Sequence, residues 1–342
     1  MLDQTDSAWV QREIVKRFLA GDPPDRAPPI VKGPVFKGEL SKVYYAETTS
    51  CPFPLAVKMC FTRNTGLPDP ISASEQFAAL QALAALMPRD GPYAAPRPYK
   101  LDADNGLLAI EWMDGHTMTH YLKDFRTPVT QVKVVLKRAG AWLRHFHATG
   151  YGAHATLDAT KQHRLFASNL SSSALRWDRV FMRACGLVER MADGIANQVF
   201  AVAVLHGDFK TDNLLLCGDR VVGLDIHSKD KGLVLWDIVP FLNRLGLFFY
   251  SPSGWRIMRH RRAIEQRFLT GYFTRELTSR EAAIIAWLRL LILLQQWDAR
   301  HLAMVNNRLK RAANDWIYRR EANWLVSELL QPTVPPSSAA PP

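Results

Sequence analysis

Leu205-His206-Gly207-Asp208-Phe209-Lys210-Thr211-Asp212-Asn213-Leu214-Leu215-Leu216, followed by Val221-Val222-Gly223-Leu224-Asp225, is the stretch on which the fold turns. Ala201–Leu205 is apolar and Val-containing, the composition of a buried strand, and Leu214–Leu216 is a second such run. Between them stand a His, two Asp, a Lys and an Asn. Charge in so apolar a setting is costly unless it is paired or binds a metal. Gly218-Asp219-Arg220 reads as a hairpin turn, and the strand Val221–Leu224 returns Asp225 beside Asn213.

Phosphoryl transfer needs this set of groups. One Asp orients the attacking hydroxyl and accepts its proton, while an Asn and a second Asp hold Mg²⁺, which prefers oxygen ligands. In this chain Asp208 fills the role of base, and Asn213 and Asp225 those of metal ligands. Asp and Asn are also ordinary turn residues. The order, the spacing and the flanking apolar runs together go beyond a polar turn.

His206-x-Asp208-x-x-x-x-Asn213 with the later Asp225 resembles the catalytic core of the protein-kinase-like superfamily. Gly207, where protein kinases usually carry Arg, is closer to the aminoglycoside phosphotransferase and choline kinase branch, whose members move the ATP γ-phosphate to a hydroxyl of a small molecule. Lys210 departs from the commoner form of that branch and resembles the protein-kinase form, where this Lys touches the γ-phosphate. The resemblance implies an α+β, two-lobed protein-kinase-like fold, with a small antiparallel-sheet N-lobe and a larger, mainly helical C-lobe. It implies ATP and Mg²⁺ as cofactors, and His206 as a brace for the loop.

Upstream, Ile30–Glu47 reads as two strands about the turn Phe36–Ser41. In the resembled family that turn covers the phosphates, which makes Ser41 a phosphate contact and Val43 a cover for adenine. Pro54–Met59 is a short apolar strand with one Lys. It matches the family strand whose Lys58 would grip the phosphates, with Ala56 leaving room for adenine. Ser72–Leu86 has helical spacing, and Ser72-Ala73-Ser74-Glu75 resembles a capping box. Glu75 is the only acid on that helix and the expected partner of Lys58. Arg97–Leu101 and Gly106–Met113 read as a strand pair running into Glu111-Trp112-Met113-Asp114-Gly115, which resembles the hinge whose backbone at Glu111 and Met113 meets adenine. Leu215 would form the floor under the base.

The expected layout is an N-terminal helix and loop over 1–29, an N-lobe over 30–115, a C-lobe over 116–331 and a disordered Pro/Ser/Ala tail over 332–342. Ser7–Ala20 has one broad apolar face beside Arg12, Lys16 and Arg17, so it either packs on the small lobe or lies on a membrane. Thr130–His147 is helical, and His145 and His147, two positions apart, face different ways and serve packing rather than a metal. Tyr151–Asn197 is an insert, polar at first and helical over Ala174–Ala192.

After Asp225 the protein-kinase Phe-Gly and Ala-Pro-Glu signatures are missing. This favours a small-molecule hydroxyl acceptor over a protein one. Asp237 is expected to cap the next helix or brace the catalytic loop. From Ile238 to Leu330 the chain is helical and rich in Trp and Arg (Trp255, Trp287, Trp297, Trp316, Trp324; Arg259, Arg261, Arg262, Arg267, Arg300). The resemblance implies that this region lines the pocket of an aminoglycoside-, choline- or sugar-like acceptor, and its basic balance leans towards an anionic or membrane-linked molecule. An atypical protein kinase and a nucleotide-binding scaffold without turnover are the competing readings.

The 342 residues suffice for two lobes, and the net charge of +11 suits ATP phosphates, anionic substrates or a peripheral contact with an anionic membrane. A nucleic-acid partner is not expected. Four scattered Cys, with no C-x-x-C pair, argue against zinc and fit reduced thiols in the cytoplasm. Met1–Arg12 is polar and charged, unlike a signal peptide. Ala282–Leu294 is interrupted by Arg289 and reads as a core helix.

Overall fold

The computed structural model describes Ile14 and residues 30–331, except 39, 64, 89–90, 151, 171–172, 196–197 and 227–229. The expected N-terminal helix, apart from Ile14, and the expected tail lie outside the described residues. The chain falls into two compact units, 1–118 with 206–208 and 212–230, and 119–205 with 209–211 and 231–342. An antiparallel sheet dominates the N-terminal region and helices the C-terminal region, the protein-kinase-like arrangement.

In the first unit, β1 (Ile30–Lys37), β2 (Ser41–Glu47), β3 (Leu55–Cys60), β5 (Pro98–Asp102) and β6 (Leu107–Glu111) form an antiparallel sheet in the order β1-β2-β3-β6-β5. Side chains alternate between its two faces. Tyr44, Ala46, Leu55, Val57, Met59, Leu107 and Ala109 cluster on one of them, joined by Ile14, which is fully buried there. The register Val43↔Lys58 and Lys58↔Leu108 puts Val43, Ala56, Lys58 and Leu108 on the opposite face.

The expected strand boundaries shift slightly. Arg220 pairs with Cys217, so only Gly218 and Asp219 make the turn between β10 (Leu214–Cys217) and β11 (Arg220–Gly223). That hairpin is stitched to β4 (Tyr93–Ala94) on one side and to β7 (His116–Thr117) on the other. The pairing groups the hairpin with the first unit, a different division from a single cut near Gly115. Gly115 itself sits so close to the hairpin that an added Cβ would lie 2.7 Å from the Leu216 carbonyl oxygen.

The helix expected at Ser72–Leu86 runs over Pro70–Ala84. Asp69 caps it, accepting from the Ser72 N–H at 3.0 Å, and Pro70 opens it with a preset φ. The expected capping box starting at Ser72 is therefore replaced by a cap three residues earlier.

The second unit is mainly helical. Helices Val129–Ala148 and Arg261–Phe273 cross at two glycines: a Cβ at Gly140 would lie 2.1 Å from the Phe268 carbonyl oxygen, and one at Gly271 2.0 Å from that of Lys137. The insert is more ordered than its composition implies. It supplies β8 (Ala153–Thr156), which pairs with β9 (Val199–Val204), and the helices Ala159–Leu170 and Arg179–Ile195. The strand β12 (Lys231–Leu233) completes that small sheet. Ser279–Ala303 is long and apolar enough to cross a membrane, yet 56% of its most apolar window is buried, with Trp287, Leu290, Leu294 and Trp297 fully inside. It is a core helix.

Arg289 on that helix belongs to a buried charge cluster. It donates to Glu265 (2.7 Å) and Glu321 (3.2 Å), while Arg261 donates to the same two carboxylates at 3.0 and 2.6 Å. Trp324 lies over the Arg261 guanidinium at 3.3 Å. Burial alone would push Glu265 up, but Arg289 and Arg261 hold it below the ordinary carboxylate range. Arg261 and Trp324 thus serve structure, and Arg262 is tied to Glu328. The four cysteines are free and buried, and burial pushes the Cys185 thiol up to about 12.

Candidate active site

The first unit brings Lys58, Asp208, Asn213 and Asp225 into one polar set through two linked contacts. Lys58, at the centre of β3 and only 7% exposed, forms an ion pair with Asp225. Asn213 donates from Nδ2 to the Asp208 carbonyl oxygen at 2.9 Å and to Asp208 Oδ2 at 3.2 Å. The hairpin joins the two pairs, because the Leu224 N–H donates to the Asn213 carbonyl at 2.8 Å. Asp225 follows directly, with φ at 53°. Non-glycine residues rarely adopt this left-handed conformation, and Asp is among those that tolerate it. Such backbone is held by its surroundings and collects at functional sites.

The helix residue that reaches Lys58 is Gln76, not Glu75. Its Oε1 accepts from Lys58 Nζ at 2.8 Å. Ammonium only donates, so this bond fixes the orientation of the amide. Gln76 Nε2 then donates to Ser72 Oγ at 3.0 Å. The cause of the one-residue shift is helix phase. Ala73, Gln76, Leu80 and Leu83 form the buried stripe of Pro70–Ala84, and Glu75 lies off it. A Gln on an apolar stripe was the available signal.

The donor set suits a hard cation. Asn213 uses its amide nitrogen on Asp208, and among the described residues no donor reaches its Oδ1. The Asn213 Oδ1 and the Asp225 carboxylate are the oxygens that could hold such a cation. Among the described residues no three His, Cys, Asp or Glu side chains converge on a metal position. Two protein oxygens completed by phosphate oxygens and water is the usual manner of Mg²⁺.

Ser41 begins β2 opposite Cys60, and Val43 stands opposite Lys58. Ala56 is 8% exposed. Met113, Leu215 and Leu224 pack on the buried cluster Ala94, Cys217 and Val222. Glu111 points its carboxylate to Arg97 at 3.1 Å, and its N–H donates to the Arg97 carbonyl at 2.8 Å. Among the described residues no acceptor meets the Met113 N–H, whereas the neighbouring Trp112 N–H donates to the Pro54 carbonyl.

Of the stretch 206–212, Phe209, Lys210 and Thr211 belong to the second unit. Phe209 is an anchor that sequence reading missed. It stacks on Trp142 (centroids 5.9 Å apart) and packs on Phe241 (4.9 Å) and Phe268 (6.2 Å). Lys210 is half-buried, as is Asp208 in the first unit, while His206 is fully buried. In the second unit His147 is also fully buried, bonded to Asp237 Oδ2 at 3.0 Å and to the Tyr272 hydroxyl at 2.8 Å. Asp237 makes no cap: the helix Leu235–Phe248 starts two residues earlier without a side-chain cap bond.

The fold and site define a phosphotransferase of protein-kinase-like architecture. The sequence profile of the phosphotransferase enzyme family (APH) matches residues 34–246, and the chain belongs to that family. No curated protein matches it in sequence. Solved structures of similar fold include a choline/ethanolamine kinase family protein from Mesorhizobium loti (15% identity, 95% of each chain, TM-score 0.58). Another is the amicoumacin kinase hAmiN in complex with AMP-PNP, Ca²⁺ and Ami (13% identity, 93% of each chain, TM-score 0.58). A third is a glucosamine kinase in complex with glucosamine, ADP and inorganic phosphate (15% identity, 89% of this chain and 83% of that one, TM-score 0.56).

Proposed function

We propose that this phosphotransferase moves the γ-phosphoryl group of ATP, with Mg²⁺, to a hydroxyl of a small molecule. The observation that carries the reading is the linked pairing of Lys58 with Asp225 and of Asn213 with Asp208 in one unit. Asp208 orients the acceptor hydroxyl and takes its proton. The acceptor oxygen bonds to the γ-phosphorus as the bond to the β,γ-bridging oxygen breaks, and ADP leaves. Lys58, held by Gln76, positions the α- and β-phosphates, and Lys210 faces the γ-phosphate. Mg²⁺ held by Asn213 Oδ1 and Asp225 would neutralise phosphate charge.

Val43, Ala56 and Leu215 enclose the adenine, whose edge meets the Glu111 carbonyl and the Met113 N–H. Ser41 contacts phosphate from the β1–β2 turn. The acceptor class follows from the structurally similar kinases, which are named for choline/ethanolamine, amicoumacin and glucosamine. The missing protein-kinase platform after Asp225 supports the same class.

The test is transfer of label from γ-labelled ATP into a fractionated cell extract by wild type and Asp208→Asn. Label in the small-molecule fraction is expected, reduced on the order of 10²–10⁴-fold by the substitution. Label confined to protein would replace this reading with an atypical protein kinase. Equal transfer by both proteins would remove Asp208 as the base.

A further inference from the structure

The turn between the helices Ser279–Ala303 and Arg308–Leu330 is built unlike an ordinary solvated corner. Leu302, Val305 and Leu309 stand 52, 59 and 85% exposed within eight residues. The corner is ordered: Asn307 caps the second helix by accepting from the Lys310 N–H at 3.0 Å. Single exposed aliphatic residues are common, but several gathered at one tip mark an interaction surface. No Asp or Glu occurs from 299 to 314, and Arg300, Arg308 and Lys310 are exposed around the tip. Their charge has no acidic neighbour in this segment.

We infer that this tip docks on an anionic phospholipid bilayer, with its aliphatic side chains at the acyl boundary and its cations on lipid phosphates. Charge complementarity selects this occupant. A nucleic acid would be met by cations with aromatic stacking groups, and the three apolar side chains of the tip are aliphatic. A second copy related by two-fold symmetry would bring the same cations face to face. Aliphatic residues beside cations fit both layers of an anionic interface. The inference does not depend on the phosphoryl-transfer chemistry.

Vesicle flotation tests it, comparing phosphatidylcholine vesicles with vesicles containing about 30 mol% phosphatidylglycerol. Wild type is expected to float with the anionic vesicles only. The triple variant Arg300→Gln, Arg308→Gln, Lys310→Gln is expected to bind on the order of a hundredfold more weakly. Leu302→Ser with Leu309→Ser is expected to weaken binding at unchanged charge. All five positions are exposed, so both variants are expected to melt with wild type. Wild type that stays unbound, a triple variant that floats like wild type, or a leucine variant with unchanged binding would each overturn the inference. So would a solution dimer abolished by the leucine changes in a protein that ignores vesicles.

Discussion

Two buried charged sets, one in each unit, are built to opposite ends. In the second unit Arg261, Arg289, Glu265 and Glu321 neutralise one another, two cations against two anions, all 5% exposed or less. In the first unit Lys58 has one carboxylate, Asp225, whose side chain is 37% exposed, and one neutral amide, Gln76. The Asn213 Oδ1 in the same unit has no protein donor among the described residues. The first arrangement is balanced in charge within the fold. The second leaves oxygen ligands and a cation ready for a charged ligand. Breaking the first should cost stability, and breaking the second should cost binding.

The largest expected effect falls on the closed cluster. Removing one partner of a buried pair strands the other charge, so Glu265→Ala is expected to lower unfolding free energy by about 3–5 kcal/mol in denaturant titration. Asp225→Asn keeps an acceptor oxygen for Lys58 on a side chain that is 37% exposed, so it is expected to leave that titration close to wild type. Equal losses would erase the contrast between the two sets. Next comes the helix crossing that frames the second unit. Gly140→Ala drives a methyl into the Phe268 carbonyl, and a loss of about 3 kcal/mol is expected from overpacking and backbone displacement.

Gln76 sharpens the comparison on the other side. Gln76→Leu leaves the buried ammonium one acceptor short. A hydrogen bond to a charged group is worth about 1.5–3 kcal/mol, so KM for ATP is expected to rise roughly tenfold or more. Gln76→Glu restores an acceptor and is expected to recover most of the loss. If Gln76→Leu leaves KM unchanged, Gln76 does not position Lys58.

The smallest effect concerns pH. The folded carboxyl of Glu265 is held below its ordinary range by Arg289 and Arg261 against the opposing effect of burial. Its contribution is therefore complete above its unfolded pKa and is lost as pH falls through the lower folded value. Glu281, lowered to about 2 by the Arg275 hydrogen bond and the Thr278 cap, acts in the same direction near the surface, where salt weakens it. Denaturation midpoints are expected to fall on acidification below about pH 4.5, with a shallower acid limb for Glu265→Gln. Midpoints that rise on acidification would contradict the assignment.

The same contrast explains what could be read from the chain. Asp208, Asn213 and Asp225 lie within eighteen residues, on a loop and a hairpin whose turn fixes their return, so their proximity is legible from order and spacing. The closed cluster joins Arg261 and Glu265 to Arg289 and Glu321 across three helices, and no local pattern separates such partners from solvated charge. Gln76 was missed because charge was taken as the guide to Lys58's partner, while helix phase decides it. Asp237 was expected to cap a helix or brace the catalytic loop, and its bond to His147, ninety residues away, lies beyond any local pattern. The strand Ala153–Thr156 is too short and too exposed to announce itself, and it exists through pairing with Val199–Val204.

The most direct test is calorimetric binding of a non-hydrolysable ATP analogue, with and without Mg²⁺, to wild type and Asp225→Asn, alongside their melting curves. The account predicts that Mg²⁺ strengthens binding to wild type and has little effect on the variant, with the two proteins melting together. A variant that keeps the full Mg²⁺ response, or one that unfolds as readily as Glu265→Ala, would contradict it.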